Sequence, residues 1–86
     1  MEVKYHKKFN KRFYKLTPKL MEKVLERIEL FKKDPFNPLL KNHALTGHLY
    51  GRRAFSVTGD MRVIFKEYDN YFVVVMLDVG IHNQIY

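Results

Sequence analysis

The chain contains no cysteine, so disulfide bonds and thiolate metal sites are excluded. No apolar run reaches the roughly 18 residues that span a bilayer, and residues 1–4 lack the apolar stretch of a signal peptide. We therefore expect a soluble, unexported, cytoplasmic protein with no membrane partner. A length of 86 residues predicts one domain over residues 1–86, which must fold around a single small core.

Several catalytic patterns are also missing from the sequence. No two histidines stand at metal-ligand spacing beside a carboxylate, which argues against a metal site. Paired carboxylates, a glycine-rich phosphate loop and a nucleophile elbow are absent as well. We therefore expect neither a metal nor a small-molecule cofactor.

Positive charge is concentrated in the first part of the chain, whose net charge is +7. Residues 1–33 hold eleven Lys and Arg against four Glu, whereas residues 34–86 hold five cationic and five acidic side chains. A polyanion is the natural partner of such a segment, because each neutralised phosphate releases condensed counterions. The alternative is a solvated helix face that only keeps the protein soluble.

The first half of the chain is dominated by helical periodicity. Alternation over residues 1–6 predicts a short strand, and the apolar residues of positions 9–16 recur at helical spacing between lysines, which predicts a basic amphipathic helix. Thr17 is the expected N-cap of a second helix, with Pro18 at its first position. This helix should run to about Lys33, where two X-Pro pairs follow.

The second half changes to strand-like composition. Residues 52–57, 61–68 and 71–79 are rich in Val, Ile, Phe and Tyr and are separated by turns at 58–60 and 69–70, which predicts two hairpins. The run 71–77 barely alternates, so we expect a central strand that is covered on both faces. The predicted fold is α+β, with two N-terminal helices on one face of a four-stranded, mainly antiparallel sheet in the order β-α-α-β-β-β.

Side chains able to carry out acid–base chemistry lie mostly in the second half. They suit phosphodiester cleavage in RNA, where a base takes the 2′-OH proton, a cation neutralises the developing charge and an acid protonates the 5′-oxygen. Strand parity places Ser56 and Arg62 on the sheet face away from the helices. The candidates are His43, His48, Arg52, Arg53, Ser56, Asp60, Arg62, His82 and Tyr86.

Each candidate also has a structural interpretation. Asp60 is placed to close a turn, and on local grounds that role is favoured over catalysis. His6 and His48 are expected to be surface residues, and Tyr86 is expected to anchor the terminus by packing. Arg62 has apolar neighbours within its strand, and a structural role explains it less well.

The segments 43–47, 51–53, 59–65 and 79–82, together with a final Tyr86, resemble the RelE superfamily of bacterial and archaeal toxins, and within it the YafQ-like branch. The resemblance covers nearly the whole chain. It implies a microbial RNase-type fold and a ribosome-dependent endoribonuclease, or mRNA interferase, that cuts mRNA in the A site. It also implies a cognate antitoxin that silences the toxin.

The resemblance also implies roles for individual residues. Asp60 or His43 would assist as base, His82 would be the acid, and Arg62 with Arg53 would stabilise charge in a metal-independent reaction. The residues expected to contact RNA are Lys8, Lys11, Lys15, Lys41, Arg52 and Arg53.

One position departs from the YafQ-like pattern. Ser56 stands where that branch has a further histidine, and a serine cannot exchange a proton at neutral pH. The ParE branch shares the fold, lacks the catalytic set and acts on DNA gyrase by protein contact, so fold alone does not settle function. A ParE-like toxin and a degenerate RNA-binding homologue therefore stand as alternatives to the nuclease.

Overall fold

The computed structural model describes all 86 residues as a five-stranded mixed sheet with three α-helices. The elements are β1 (Glu2–Tyr5), α1 (Lys7–Phe13), α2 (Pro18–Lys33), β2 (His43–Ala44), β3 (Arg53–Ser56), β4 (Met61–Tyr68), β5 (Val73–Ile81) and α3 (His82–Ile85). Two short 3₁₀ turns, Pro38–Leu40 and Gly47–Leu49, flank β2. The predicted α+β class is confirmed, with the strands in the order β1-β5-β4-β3-β2.

Two short elements correct the predicted order. β2 pairs with β3 through only two residues, so the sheet has five strands rather than four. α3 adds a third helix of four residues at the C-terminus. Elements this short do not show a hydrophobic period in the sequence. They form because they pair with, or pack against, an existing strand.

The helix signals in the sequence work as expected. The Thr17 side chain accepts a hydrogen bond from the backbone N–H of Leu20 at 3.3 Å, and Pro18 occupies the first turn of α2. The helix ends at Lys33 as predicted. His6 caps α1, because its Nδ1 accepts a hydrogen bond from the backbone N–H of Lys8 at 3.0 Å.

The hydrophobic core lies between α1, α2 and one face of the sheet. Phe9 of α1 and three residues of α2 are buried in the same cluster as the inward side chains of β3, β4 and β5. Phe31 of α2 is central, since its ring centroid lies 4.8 Å from those of Phe55 and Phe65. The predicted core side of β3 and β4 is confirmed, with Met61 and Val63 also buried there.

β5 is an interior strand, as predicted, and its two faces are covered to different degrees. Val74 and Met76 are buried on the core side, whereas Val73, Val75 and Leu77 are only partly buried. β1 pairs in parallel with β5 only as far as Met76. The weak alternation also reflects a β-bulge, because Ile64 of β4 pairs with Asp78 while the adjacent Phe65 pairs with Met76.

Replacing Phe31 by alanine should lower the free energy of unfolding by about 3–5 kcal/mol, because it removes a fully buried ring from contact with two others. Urea unfolding followed by circular dichroism measures this change. Leu25→Ala on the same helix is the control, since Leu25 is 52% exposed and should cost far less. Equal losses for the two variants would contradict the central position of Phe31.

Candidate functional site

The face of the sheet opposite the core presents a row of three paired residues. Ser56 pairs with Arg62, and Arg62 pairs with Gly80, so the three positions lie side by side across β3, β4 and β5. Paired residues in a sheet share a face. The predicted placement of Ser56 and Arg62 on one face away from the core is therefore confirmed, although Ser56 is only 7% exposed.

α3 lies directly against this row. A Cβ atom on Gly80 would stand 2.9 Å from Oε1 of Gln84 and 3.0 Å from Cγ2 of Ile85, so glycine permits the close approach of α3 to β5. The backbone N–H of His82 donates to the backbone carbonyl of Asp60 at 3.2 Å. This bond joins the start of α3 to the β3–β4 turn and brings His82 to Asp60.

The ring of His82 contacts Tyr86 edge to face, with 4.3 Å between the ring centroids. The Tyr86 hydroxyl is buried and has no hydrogen-bond partner. Burial raises the pKa of Tyr86 above its usual 10.0, while the positive charge of Arg62 acts in the opposite direction. Tyr86 is thus a packed, neutral phenol close to a guanidinium.

Arg62 is held by the turn that precedes its strand. Its Nη1 donates to the backbone carbonyls of Thr58, Gly59 and Met61 at 3.0, 3.1 and 3.1 Å. Asp60 in the same turn accepts a hydrogen bond from the Thr58 hydroxyl at 3.1 Å, which agrees with the predicted turn-closing role and leaves the carboxylate exposed.

We define Asp60, Arg62, His82 and Tyr86 as the corner site. It brings an exposed carboxylate, an oriented guanidinium and an exposed imidazole to the end of the sheet where the β3–β4 turn meets α3. These groups can accept a proton, stabilise negative charge and donate a proton, respectively. Three of the four residues predicted to be catalytic are therefore neighbours.

His43, the fourth, lies elsewhere on the same face. His43 lies in the edge strand β2 and pairs with Ala54 of β3. Ala54 pairs in turn with Ile64 of β4, so two strand spacings separate His43 from β4. Its Nδ1 stands 2.9 Å from the backbone carbonyl of Lys41. His43 is exposed and lies outside the corner site.

The resemblance implied that Arg53 and Arg62 act together on one charge, but the structure places them on opposite faces of the sheet. Arg53 pairs with Phe65, whose side chain belongs to the core, so it points to the helix-covered side of the sheet. Its Nε donates to Oδ1 of Asn42 at 2.9 Å, and its guanidinium lies 5.8 Å from the centre of the Phe36 ring. Strand parity separates the two arginines, and the predicted pairing of their charges is wrong.

Asp78 is a charged residue near the site that the sequence reasoning did not single out. It is 5% exposed, faces the same side as Ile64, and its two oxygens lie 3.2 Å from Nε of Arg12 and 3.4 Å from Nζ of Lys8. Arg12 also donates to the backbone carbonyl of Gln84 in α3 at 3.4 Å. A lone carboxylate within an apolar strand was the signal available in the sequence.

Two clefts border α1. The first, of about 450 Å³, lies between α1 and α3 and collects Lys8, Lys11, Arg12 and Lys15, so three of the lysines predicted to contact RNA lie together. The second, of about 350 Å³, opens over the sheet face that holds Asp78. Its rim includes Lys8 and the predicted RNA contact Arg52, together with the exposed histidines His6, which caps α1, and His48.

No helix of the structure is long and apolar enough to cross a membrane. No group of three or more His, Cys, Asp or Glu side chains is arranged to hold a metal ion.

A family model described as the YafQ bacterial toxin of type II toxin–antitoxin systems matches residues 1–86. No curated protein matches the chain. Among solved structures, Escherichia coli YafQ superimposes with a TM-score of 0.80 at 23% identity, over 99% of this chain and 97% of that one. The E. coli DinJ–YafQ toxin–antitoxin complex gives 0.78 at 24% identity, over 99% and 96%. The Mycobacterium tuberculosis RelBE2 toxin–antitoxin complex gives 0.77 at 21% identity, over 94% and 96%.

Arg12→Lys should loosen α3, because lysine keeps the positive charge near Asp78 but lacks the planar fork that reaches both Asp78 and the Gln84 carbonyl. The ¹⁵N order parameters of residues 83–86 should fall from about 0.85 toward about 0.6. Lys11→Arg, on the same helix but without a contact to Asp78, is the matched control. Unchanged order parameters in Arg12→Lys would show that α3 is held without this bridge.

Tyr86→Phe should change how stability depends on pH. The raised pKa means that folding holds the phenol proton more tightly, so this contribution is complete below about pH 10 and is lost as the pH rises through the folded-state pKa. The variant should lose less stability than the parent between about pH 9 and about pH 11. It should also be at least as stable at pH 7, since a buried hydroxyl without a partner is unfavourable. Urea unfolding across this range measures both effects, and parallel pH curves would contradict the first.

Proposed function

Because the chain belongs to the YafQ family of toxins of bacterial type II toxin–antitoxin systems, within the RelE superfamily, we propose that it is a ribosome-dependent endoribonuclease that cleaves mRNA and thereby inhibits translation. The observation that carries the proposal is the corner site, where Asp60, Arg62 and His82 meet on one exposed end of the sheet. A cleft lined by four cationic side chains lies between α1 and α3 and supports an RNA substrate.

The reaction begins with removal of the 2′-OH proton and attack of that oxygen on the adjacent phosphorus. Arg62 stabilises the charge that develops on the phosphate oxygens, and its Nη1 is already fixed by three carbonyls, which limits the reorganisation needed. His82 then protonates the departing 5′-oxygen. Asp60, which is exposed beside His82, or His43 from across the sheet face takes the first proton.

Ser56 affects this mechanism because its side chain cannot exchange a proton at neutral pH. It lies directly beside Arg62 in the sheet but carries a hydroxyl that stays protonated at neutral pH. Proton transfer therefore falls to the exposed groups around it, and cleavage should depend strongly on His82. Ser56 is also the observation that favours the second candidate, a non-nucleolytic toxin that acts on a protein such as DNA gyrase by contact.

We further propose a cognate antitoxin as the protein partner and the ribosome with its bound mRNA as the target. E. coli YafQ has been solved with DinJ, and the M. tuberculosis RelBE2 structure is likewise a toxin–antitoxin complex. The net charge of +7 favours an acidic partner segment. A short acidic protein encoded beside this gene would support the pairing.

Induced expression in a bacterial host, with mRNA 5′ ends mapped by primer extension, tests the nuclease. The parent protein should arrest growth and create new 5′ ends within translated codons. His82→Ala should reduce these ends by about a hundredfold or more, which is typical of removing a proton carrier. His48→Ala removes an exposed imidazole outside the corner site and should leave them unchanged.

Thermal unfolding of purified His82→Ala first establishes that the variant is folded. Growth arrest without new 5′ ends would replace the nuclease by a toxin acting on a protein. Absence of any arrest would favour a degenerate homologue that only binds RNA. Full cleavage by folded His82→Ala would remove His82 from the mechanism while leaving the nuclease in place.

A further inference from the structure

A further cationic groove borders the corner site at Arg62. It has a volume of about 370 Å³ and runs between α2, the Pro38–Leu40 turn and the β3–β4 turn. Four cationic side chains from separate parts of the chain line it, and no Asp or Glu does: Lys23, Arg27, Lys41 and Arg62. Only the tertiary structure brings them together, because Lys23 and Arg27 lie on α2 whereas Arg62 lies on β4.

The two guanidiniums of this groove are fixed by backbone carbonyls. Nη1 of Arg27 donates to the carbonyl of Leu39 at 3.2 Å, and Nη1 of Arg62 is held by the three carbonyls described above. Neither arginine has a carboxylate partner, since the ion pairs of the structure involve only Lys8, Arg12, Lys23 and Lys32. Lys23 is paired with Glu26 at 3.3 Å, whereas the two guanidiniums carry positive charge that is oriented and has no carboxylate partner.

Arg27 shows this lack of compensation most clearly. Its Nε is buried and has no hydrogen-bond partner. Burying an N–H donor without an acceptor is unfavourable, so a position of this kind calls for an explanation beyond packing. An anion beside the guanidinium would offset the charge, and a planar arginine fork suits the oxygens of a phosphate group.

We propose that this groove binds the RNA backbone next to the cleaved bond, with Arg27 contacting a phosphate that is not itself cut. The inference rests on the proposed nuclease function, because Arg62 belongs to both the groove and the corner site. An RNA strand whose scissile phosphate lies at Arg62 can continue along the groove past Lys41 toward Arg27 and Lys23. In this arrangement the lysine-rich cleft between α1 and α3 receives the other flank of the RNA strand.

An acidic polypeptide is the competing ligand for such a groove. Polypeptide interfaces usually have an apolar centre into which side chains insert. The apolar members of this groove, Pro38, Leu39 and Val57, are outnumbered by cationic, hydroxyl and backbone groups. The lining therefore favours a sugar–phosphate backbone.

The test measures binding of a 2′-O-methylated, uncleavable single-stranded RNA to the purified full chain by fluorescence anisotropy at several salt concentrations. For a single strand, each phosphate contact contributes a slope of about −0.7 to log K against log salt. Arg27→Gln removes the charge but keeps a polar N–H donor in the side chain, and it should make the slope shallower by about 0.7. Arg27→Lys keeps the charge and should retain most of the slope. Lys33→Gln, an exposed neutralisation at the end of α2 outside the groove, should leave it unchanged.

An unchanged slope in Arg27→Gln, or the absence of RNA binding by the parent protein, would overturn the proposal. So would a variant that binds RNA normally but loses affinity for a poly-glutamate peptide, which would assign the groove to an acidic polypeptide. The primer-extension assay separates this result from the nuclease itself. If the parent protein creates no new 5′ ends but Arg27→Gln still flattens the slope, the groove binds RNA and the cleavage proposal fails.

Discussion

The arrangement of the sheet face opposite the core depends on a β-bulge at Leu77. One extra residue in β5 reverses the alternation of the strand. As a result Val79 lies in the core with Val74 and Met76, while Asp78 faces the opposite side of the sheet. In an unbulged strand Asp78 would project into the hydrophobic core, where an uncompensated carboxylate is strongly unfavourable. The same shift places Gly80 beside Arg62, where α3 can pack on it.

The basic N-terminal segment has two physical roles. Part of its charge is structural, because Lys8 and Arg12 neutralise the buried Asp78, and Arg12 also reaches the C-terminal helix. Lys11 and Lys15 form no ion pair and remain available to a polyanion in the adjacent cleft. The interaction that compensates a buried carboxylate thus also orders the helix that carries His82, and it links the core to the corner site.

The corner site is built mainly from backbone contacts rather than from a network of catalytic side chains. Arg62 is oriented by three carbonyls, and His82 is joined to Asp60 through a main-chain hydrogen bond. Substituting a side chain there can therefore remove chemistry without removing the scaffold. The geometry of the turn and helix likewise does not depend on the side chain of Ser56, which stands beside Arg62.

Local physics in the sequence was sufficient for the boundaries of α2, the two hairpins, the α+β class and the shared face of Ser56 and Arg62. Thr17, Pro18 and strand parity act over a few residues, so their effects can be predicted from neighbours alone. Tertiary structure decided that β2 adds a fifth strand, that Arg53 turns toward Asn42, that Asp78 is paired with α1, and that Arg27 and Arg62 line one groove. These features depend on strand register, on one bulged residue and on contacts between segments far apart in the chain, and hydrophobic periodicity specifies none of them.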